Sequence, residues 1–263
     1  MNPREKIIYL ALKYRGDWNN IYRAMKSKEE VDEEEVYETL QYLDCDVMTI
    51  VDSDYPDNLF NIYKPPFVLF YKGDRSLLNQ YDRTLAVVGR RDPTSYGIIT
   101  THSILEEIDK ERIIVSGLAY GVDRIAHEVA LERGMKVIAV IGSGLDHFYP
   151  MENYDLFEKI KNVGIVVSEY PSFVFPERIN FPRRNRIIAG LARGVLITEA
   201  QKRSGTSITA NAALAFGRDV YCVPSQDLNN SGCNELIKEG AYLVESGSDV
   251  ENLLQFKKNY YVH

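Results

Sequence analysis

From residue 80 onward the apolar positions fall in short runs, each closed by a Gly, Ser or Pro turn and separated by longer stretches with apolar residues three and four apart. The runs are Leu85 to Val88, Ile113 to Val115, Val137 to Ile141, Ile165 to Val167, Val195 to Ile197 and Val220 to Val223. A strand that is apolar throughout is buried on both faces, and returning to a parallel neighbour needs a helical crossover. The alternation therefore predicts an α/β fold: a mostly parallel sheet with helices on both faces. Such sheets bind ligands beyond the carboxyl ends of their strands, so the loops after these runs are where chemistry is expected.

The flanks read differently. Ile7, Ile8, Leu10 and Ala11, then Ile21, Tyr22 and Met25, then Val36, Leu40 and Leu43 repeat at helical spacing, which predicts a small helical module with Trp18 and the tyrosines in its core. Breakers from Asp54-Tyr55-Pro56 to Lys64-Pro65-Pro66 read as a linker into a strand, Phe67 to Tyr71. Residues 1–60 are thus assigned to a helical domain and 61–263 to the α/β domain. At the far end a capped helix begins at Ser231, Ala241 to Val244 reads as an edge strand, and Val250 to Phe256 as an amphipathic helix. Its Leu253, Leu254 and Phe256 would face the sheet or another subunit.

With 45% hydrophobic and 26% charged residues the chain has the composition of a globular protein. No apolar run reaches the length of a membrane span and the start reads as an amphipathic helix, so no membrane association and a cytoplasmic location are expected. Cys45, Cys222 and Cys233 form no Cys-x-x-Cys pair, and no metal or cofactor is expected. The net charge of −7 excludes a general polycation. Charge is nevertheless segregated. Residues 1–54 hold seven bases against thirteen acids, whereas residues 177–203 hold seven bases against Glu177 and Glu199.

That basic segment contains Asn180-Phe181-Pro182-Arg183-Arg184-Asn185-Arg186. Pro182 is expected at the first position of a helix, with Asn180 as cap and Ile187, Ile188 and Leu191 on its buried face. Three arginines in a first turn oppose the helix dipole. Either an anion or neighbouring carboxylates must compensate them.

Four strand-end loops carry further candidates. Gly89-Arg90-Arg91 places two arginines after the first run, with Arg90 put ahead of Arg91 as the one reaching the crevice. Ser116-Gly117-Leu118-Ala119-Tyr120-Gly121 offers small residues that let a phosphate approach the backbone, but matches neither a dinucleotide nor an ATP fingerprint. Asp123 and His127 share a helix face, a spacing that permits a hydrogen bond; His127 is read as structural. Gly142-Ser143-Gly144 reads as a tight turn, with Asp146 and His147 a minor acid/base option. Lys202 and Ser204-Gly205-Thr206-Ser207 bring a base, hydroxyls and free N–H groups to a helix start, where capping and phosphate binding are compatible.

Taken together and in order, these residues resemble the DNA-processing protein A family, also called Smf. The resemblance runs through Val88-Gly89-Arg90-Arg91, Ser116 to Asp123 with Ala126-His127, Gly144-Leu145-Asp146 with Tyr149-Pro150 and Asn153, Ser168-Glu169, Phe181 to Leu191, Glu199-Ala200 with Ser204-Gly205, and Gly217-Arg218. It covers roughly residues 55–245. It implies an extended Rossmann-like fold preceded by a sterile-alpha-motif-like helical domain, and a homodimer that binds single-stranded DNA in a basic pocket. It further implies that the protein protects incoming strands and loads the RecA recombinase in natural transformation, without catalytic turnover. The DNA-binding residues so implied, joined to those read from the loops, are Arg90, Arg91, Ser116, Gly117, Gly121, Arg178, Arg184, Arg186, Lys202, Ser204, Gly205 and Thr206. Arg184 and Arg186 are also candidates for bracing the pocket. Three positions depart from the family pattern: Met151 stands where relatives often carry a base, Arg90 where they carry serine, and Ser225 where they carry glycine. The winged-helix domain that many relatives append is not expected within these residues.

The competing class is a phosphoribohydrolase-like enzyme acting on a nucleoside monophosphate. Ser204-Gly205-Thr206 faintly resembles its phosphate loop. The glutamate expected after that loop is replaced by Ala210 and Asn211, so Glu199 would have to serve in its place.

Overall fold

The computed structural model describes residues 2–227 and 229–258, the side chains of 256–258 excepted. Three helices open the chain, α1 (Pro3–Lys13), α2 (Trp18–Lys26) and α3 (Glu33–Leu40), each with an Asn or Asp cap whose side chain accepts from the first turn. Then follow β1 (Asp46–Thr49), α4 (Asp57–Phe60), β2 (Val68–Gly73), β3 (Thr84–Val88), α5 (Ser95–Glu107), β4 (Ile113–Ser116), α6 (Val122–Glu132) and β5 (Lys136–Ile141). The chain continues through α7 (Tyr154–Val163), β6 (Ile165–Ser168), α8 (Asn180–Leu191), β7 (Gly194–Ile197), α9 (Gly205–Ala215), β8 (Asp219–Cys222), α10 (Gly232–Lys238), β9 (Tyr242–Leu243) and α11 (Gly247–Lys258).

The strands form one sheet in the order β1-β2-β6-β5-β4-β3-β7-β8-β9, antiparallel at β1/β2 and β2/β6 and parallel elsewhere. All six apolar runs are strands, as their pattern predicts. One strand carries no such signal: β1 pairs with β2 through Val47↔Phe70 and Met48↔Leu69, so the sheet already includes residues that precede the boundary drawn at residue 60.

Alternation along β3 explains the two layers. Leu85 and Val87 face a core shared with α1, α5, α6, α7 and α11, while Ala86 and Val88 face the opposite core with α4, α8, α9 and α10. Burial of one such aliphatic side chain contributes about 1.5–3 kcal/mol, so slipping β3 by one residue would mismatch both layers at once. Of the two alternatives for Leu254 the structure shows the first: it packs into the core on the sheet side, at 2% exposure. The packing of Phe256 lies outside the described residues.

Topology fixes the place of the crevice. From β3 the chain winds through β4, β5 and β6 on one side, then returns to place β7 against the other flank of β3. Strand order reverses there, which opens a gap between the loops at the carboxyl ends.

Candidate functional site

A cavity of about 510 Å³ occupies that gap. Its walls come from the loop after β3 (Gly89 to Asp92), Ala119 in the loop after β4, Asp123 in the first turn of α6, the first turns of α8 with Arg184 and Asn185, and the start of α9 from Ser204 to Thr206.

Arg184 sits at its base, 3% exposed. Its Nη1 donates to the carbonyl of Gly117 at 2.6 Å and to that of Val140, and its Nε to Oδ1 of Asn185 at 3.1 Å. Every one of these acceptors is neutral, no carboxylate lies within 4.0 Å, and Nη2 has no hydrogen-bond partner among the described residues. Burial pushes the guanidinium down to about 10, with Asp123 acting in the opposite sense and Arg91 adding repulsion. Asp123, itself buried, is raised by desolvation and held back by Arg184. The result is a buried positive charge facing a cavity without an ion-pair partner, an arrangement that favours an incoming anion.

The other two arginines of α8 are neutralised. Arg183 pairs with Asp17 at 3.1 Å, and Arg186 is 13% exposed in its side chain, pairs with Glu169 and donates to the carbonyl of Lys64 at 2.9 Å. The carboxylate explanation foreseen for these arginines thus holds for Arg183 and Arg186, whereas Arg184 has no such ion pair among the described residues. The helix starts at Asn180, two residues earlier than its proline suggests, and Ile179 stands at the cap without a side-chain bond. Proline is tolerated within the first turn because those N–H groups have no partner inside the helix.

Both arginines of the loop after β3 line the cavity. Arg90 lines the cavity but is held by Glu199 at 3.3 Å. Arg91 is exposed, and its guanidinium lies 5.5 Å from the centre of the Phe181 ring, with Arg184 at 6.0 Å from the same ring. Phe181 is therefore flanked by two cations that line the cavity.

The small residues hold the loops close. A Cβ on Gly117 would lie 2.7 Å from the Arg184 guanidinium carbon and both of its terminal nitrogens. Gly121 has φ +72° and rests against the carbonyls of Arg90 and Arg91, while Val122 N donates to Arg90 O at 3.1 Å. Ser116 lies beneath the surface: it is 0% exposed and its hydroxyl donates to Val87 O at 2.7 Å. It supports the floor and offers no contact to a ligand.

At the start of α9 the Ser204 Oγ is enclosed and unpartnered, and Ser204 stands at the cap without capping. Thr206 donates to Gly89 O at 3.1 Å, tying α9 to the first loop, and Asn185 donates to Gly205 O at 3.1 Å. Nothing lies within 4 Å of the Cβ position of Gly205, which leaves its backbone open. Lys202 and Arg178 are exposed and lie outside the cavity lining; Lys202 pairs with Glu235 at 3.2 Å.

Two residues matter more than their sequence context suggests. Asn153 is 0% exposed; its Nδ2 donates to Leu118 O and Ala119 O, both at 3.0 Å, and its Oδ1 accepts from Arg124 at 2.8 Å. It clamps the loop after β4, where Leu118 adopts φ 53°. Glu199 accepts from Thr94 N at 2.9 Å and Thr94 Oγ1 at 3.2 Å at the start of α5, besides holding Arg90. Only the order of Asn153 after Tyr149-Pro150 hinted at the first; nothing local to Glu199 reveals its distant partners.

Several minor options fall away. Asp123 accepts from Ala119 N at 3.4 Å, not from His127, whose two ring nitrogens have no partner and whose burial pushes it down to about 3. His147 stacks on Phe175 at 3.8 Å and Asp146 faces Lys72 at 4.0 Å, so they do not form an acid/base pair. Among the described residues no cluster of three or more metal-ligating side chains occurs, and no helix is long and apolar enough to cross a membrane.

The comparisons with known proteins agree on one family. The DNA recombination-mediator protein A model matches residues 46–255. DNA processing protein DprA of Streptococcus pneumoniae is 47% identical over 77% of this chain and 72% of its own length, and that of Bacillus subtilis is 40% identical over 76% and 68%. In structure, the S. pneumoniae protein superposes with a TM-score of 0.80 at 39% identity, covering 94% of this chain and 92% of the other. DNA processing protein A of Helicobacter pylori, solved to show its mode of binding single-stranded DNA, gives 0.72 at 30% identity, over 82% and 98%. The Rossmann-like fold is thus that of its relatives, and this chain belongs to the DNA recombination-mediator protein A family, whose members are called DprA or Smf.

Proposed function

We propose that this chain binds single-stranded DNA along the crevice at the carboxyl ends of β3, β4 and β7. One observation carries the reading: the buried Arg184 has only neutral hydrogen-bond partners, with Asp123 as a partial electrostatic counterweight, and faces the cavity beside the open start of α9. A phosphodiester supplies the missing charge and accepts from Nη2 and from backbone N–H groups at the helix start. Arg91 adds a second cation at the rim, and Phe181 a ring on which a base stacks. The H. pylori relative's single-strand binding supports the choice of ligand. From family membership we extend the reading to natural transformation and recombination, in which the protein, as a cytoplasmic homodimer, shields incoming strands and passes them to RecA without chemical turnover. Glu199, the carboxylate that a phosphoribohydrolase-like mechanism would need, is engaged by Thr94 and Arg90, which favours binding over hydrolysis.

Titration of a labelled single-stranded and a matching duplex oligonucleotide at low and moderate salt tests this. The single strand binds more tightly, its affinity falls with salt, and Arg91→Ala lowers the salt slope by about 0.7 if it removes one phosphate contact. Equal affinity for both nucleic acids, or binding indifferent to salt, overturns the reading.

A further inference from the structure

The first turn of α8 separates two cavities. Arg184 faces the crevice, whereas Pro182, Arg183 and Arg186 line a second cleft of about 290 Å³ between α8 and the helical module. Its opposite wall is aromatic: Trp18 is stacked on Tyr22 at 5.1 Å and on Phe67 at 5.2 Å, and its indole donates to Pro65 O at 2.8 Å.

Both acids of this cleft, Asp17 and Glu169, are already paired, with Arg183 and Arg186. Lys64 is the remaining charge. Its ammonium contacts Asn19 Oδ1 at 2.7 Å and lies 5.1 Å from the Trp18 ring and 5.4 Å from the Tyr63 ring, with no carboxylate partner among the described residues. Lys64 is held at φ 55°, a conformation unusual for lysine, by a backbone whose carbonyl Arg186 anchors. Beside it Tyr63 is 71% exposed, a large ring presented to solvent next to a cation without a carboxylate partner among the described residues. Residues 1–54 are strongly acidic, whereas in this cleft both acids are neutralised and Lys64 adds a cation, which suits a polyanion.

We propose that the cleft is a second single-strand contact: the strand leaves the crevice over the first turn of α8, one base stacks on Tyr63, and Lys64 meets an adjoining phosphate. This rests on the crevice reading. The two sites are contiguous through Arg91, Phe181 and Arg184 on one side of the turn and Arg183, Asp17 and Trp18 on the other. The module thereby extends the DNA track, and affinity should depend on strand length beyond what the crevice alone covers.

Trp18 is the chain's sole tryptophan, so its emission reports on the cleft while the anisotropy of a labelled strand reports on binding anywhere. A strand of about 4 nucleotides fills the crevice alone, and one longer than about 16 covers both sites. The long strand shifts Trp18 emission as it saturates and the short one does not. Tyr63→Ala weakens the long strand about tenfold, Tyr63→Phe restores it, and the short strand is unaffected. Lys64→Asn, which tolerates the same backbone, lowers the long strand's salt slope by about 0.7. Saturable binding with flat Trp18 emission, or a changed emission with unaltered affinity in both Tyr63→Ala and Lys64→Asn, overturns the second contact and leaves the crevice reading standing. Absence of binding by either strand defeats the crevice reading itself.

Discussion

The Arg184 guanidinium and the backbone of Gly117 are in direct contact, Nη1 donating to the glycine carbonyl at 2.6 Å, in a space that a single methyl group would fill. A Cβ at residue 117 would stand 2.7 Å from three guanidinium atoms, closer than side chains pack. Arginine is flexible, so the strain is relieved by moving the guanidinium away from the cavity base and not by unfolding the sheet. Gly117→Ala is therefore expected to cost about 1–3 kcal/mol of stability, the range for leaving buried acceptors unpaired, and to weaken single-strand binding about tenfold through loss of one charge-assisted contact. Urea titration and anisotropy on the same preparation check both. Unchanged affinity would show that Arg184 does not reach the strand.

The sheet was legible in the sequence because β3 to β8 lie between two helical layers and carry apolar residues on both faces. β1 was not, since this edge strand has only Val47 and Met48 as apolar residues and its first residue is exposed. The arginine cluster was legible as a site of unbalanced charge, but its division was hidden. Which of Arg183, Arg184 and Arg186 is neutralised depends on Asp17, 166 residues away, and on Glu169 at the end of another strand. The same holds for Arg90, whose partner Glu199 arrives from β7. Local pattern reports burial; it does not report which distant carboxylate the fold delivers.

His127 makes stability dependent on acid. Its ring is 0% exposed and unpartnered, and burial lowers it from 6.5 to about 3. Between those values the unfolded chain binds a proton that the folded chain does not, so stability rises with pH through this window and is lost as pH falls from about 6.5 toward 3. The full effect is of the order of several kcal/mol. His127→Leu removes the titrating group. Its unfolding free energy should fall less between about pH 7 and pH 5 than that of the unmodified protein; parallel curves for the two proteins would refute the assignment.

Asn153 fixes the shape of the loop after β4. Replacing it by alanine leaves the Leu118 and Ala119 carbonyls without their amide donor and removes an acceptor of Arg124. Asn153→Ala is expected to lose about 2–4 kcal/mol, from two or more buried bonds, with some acceptors recovered by water. Because the sheet itself is untouched, amide exchange should speed up first over residues 117–121. Uniform acceleration across all strands would mean that Asn153 supports the whole domain and not this loop alone.

Glu199 separates binding from hydrolysis most directly. Its carboxylate accepts from Thr94 at the start of α5 and holds Arg90, and its side chain is 11% exposed. In Glu199→Gln the amide oxygen keeps one of these contacts and the charge that restrains Arg90 is gone. Stability should fall by about 1–2 kcal/mol, as for a lost helix-start interaction. Single-strand affinity should hold or rise, because Arg90 already lines the crevice and is released toward it. A catalytic Glu199 predicts a different pair of results: release of free base from a nucleoside monophosphate by the unmodified protein, abolished in the variant. Measuring strand affinity and base release side by side in the two proteins decides between them, since only the binding role leaves affinity intact with no hydrolysis to lose.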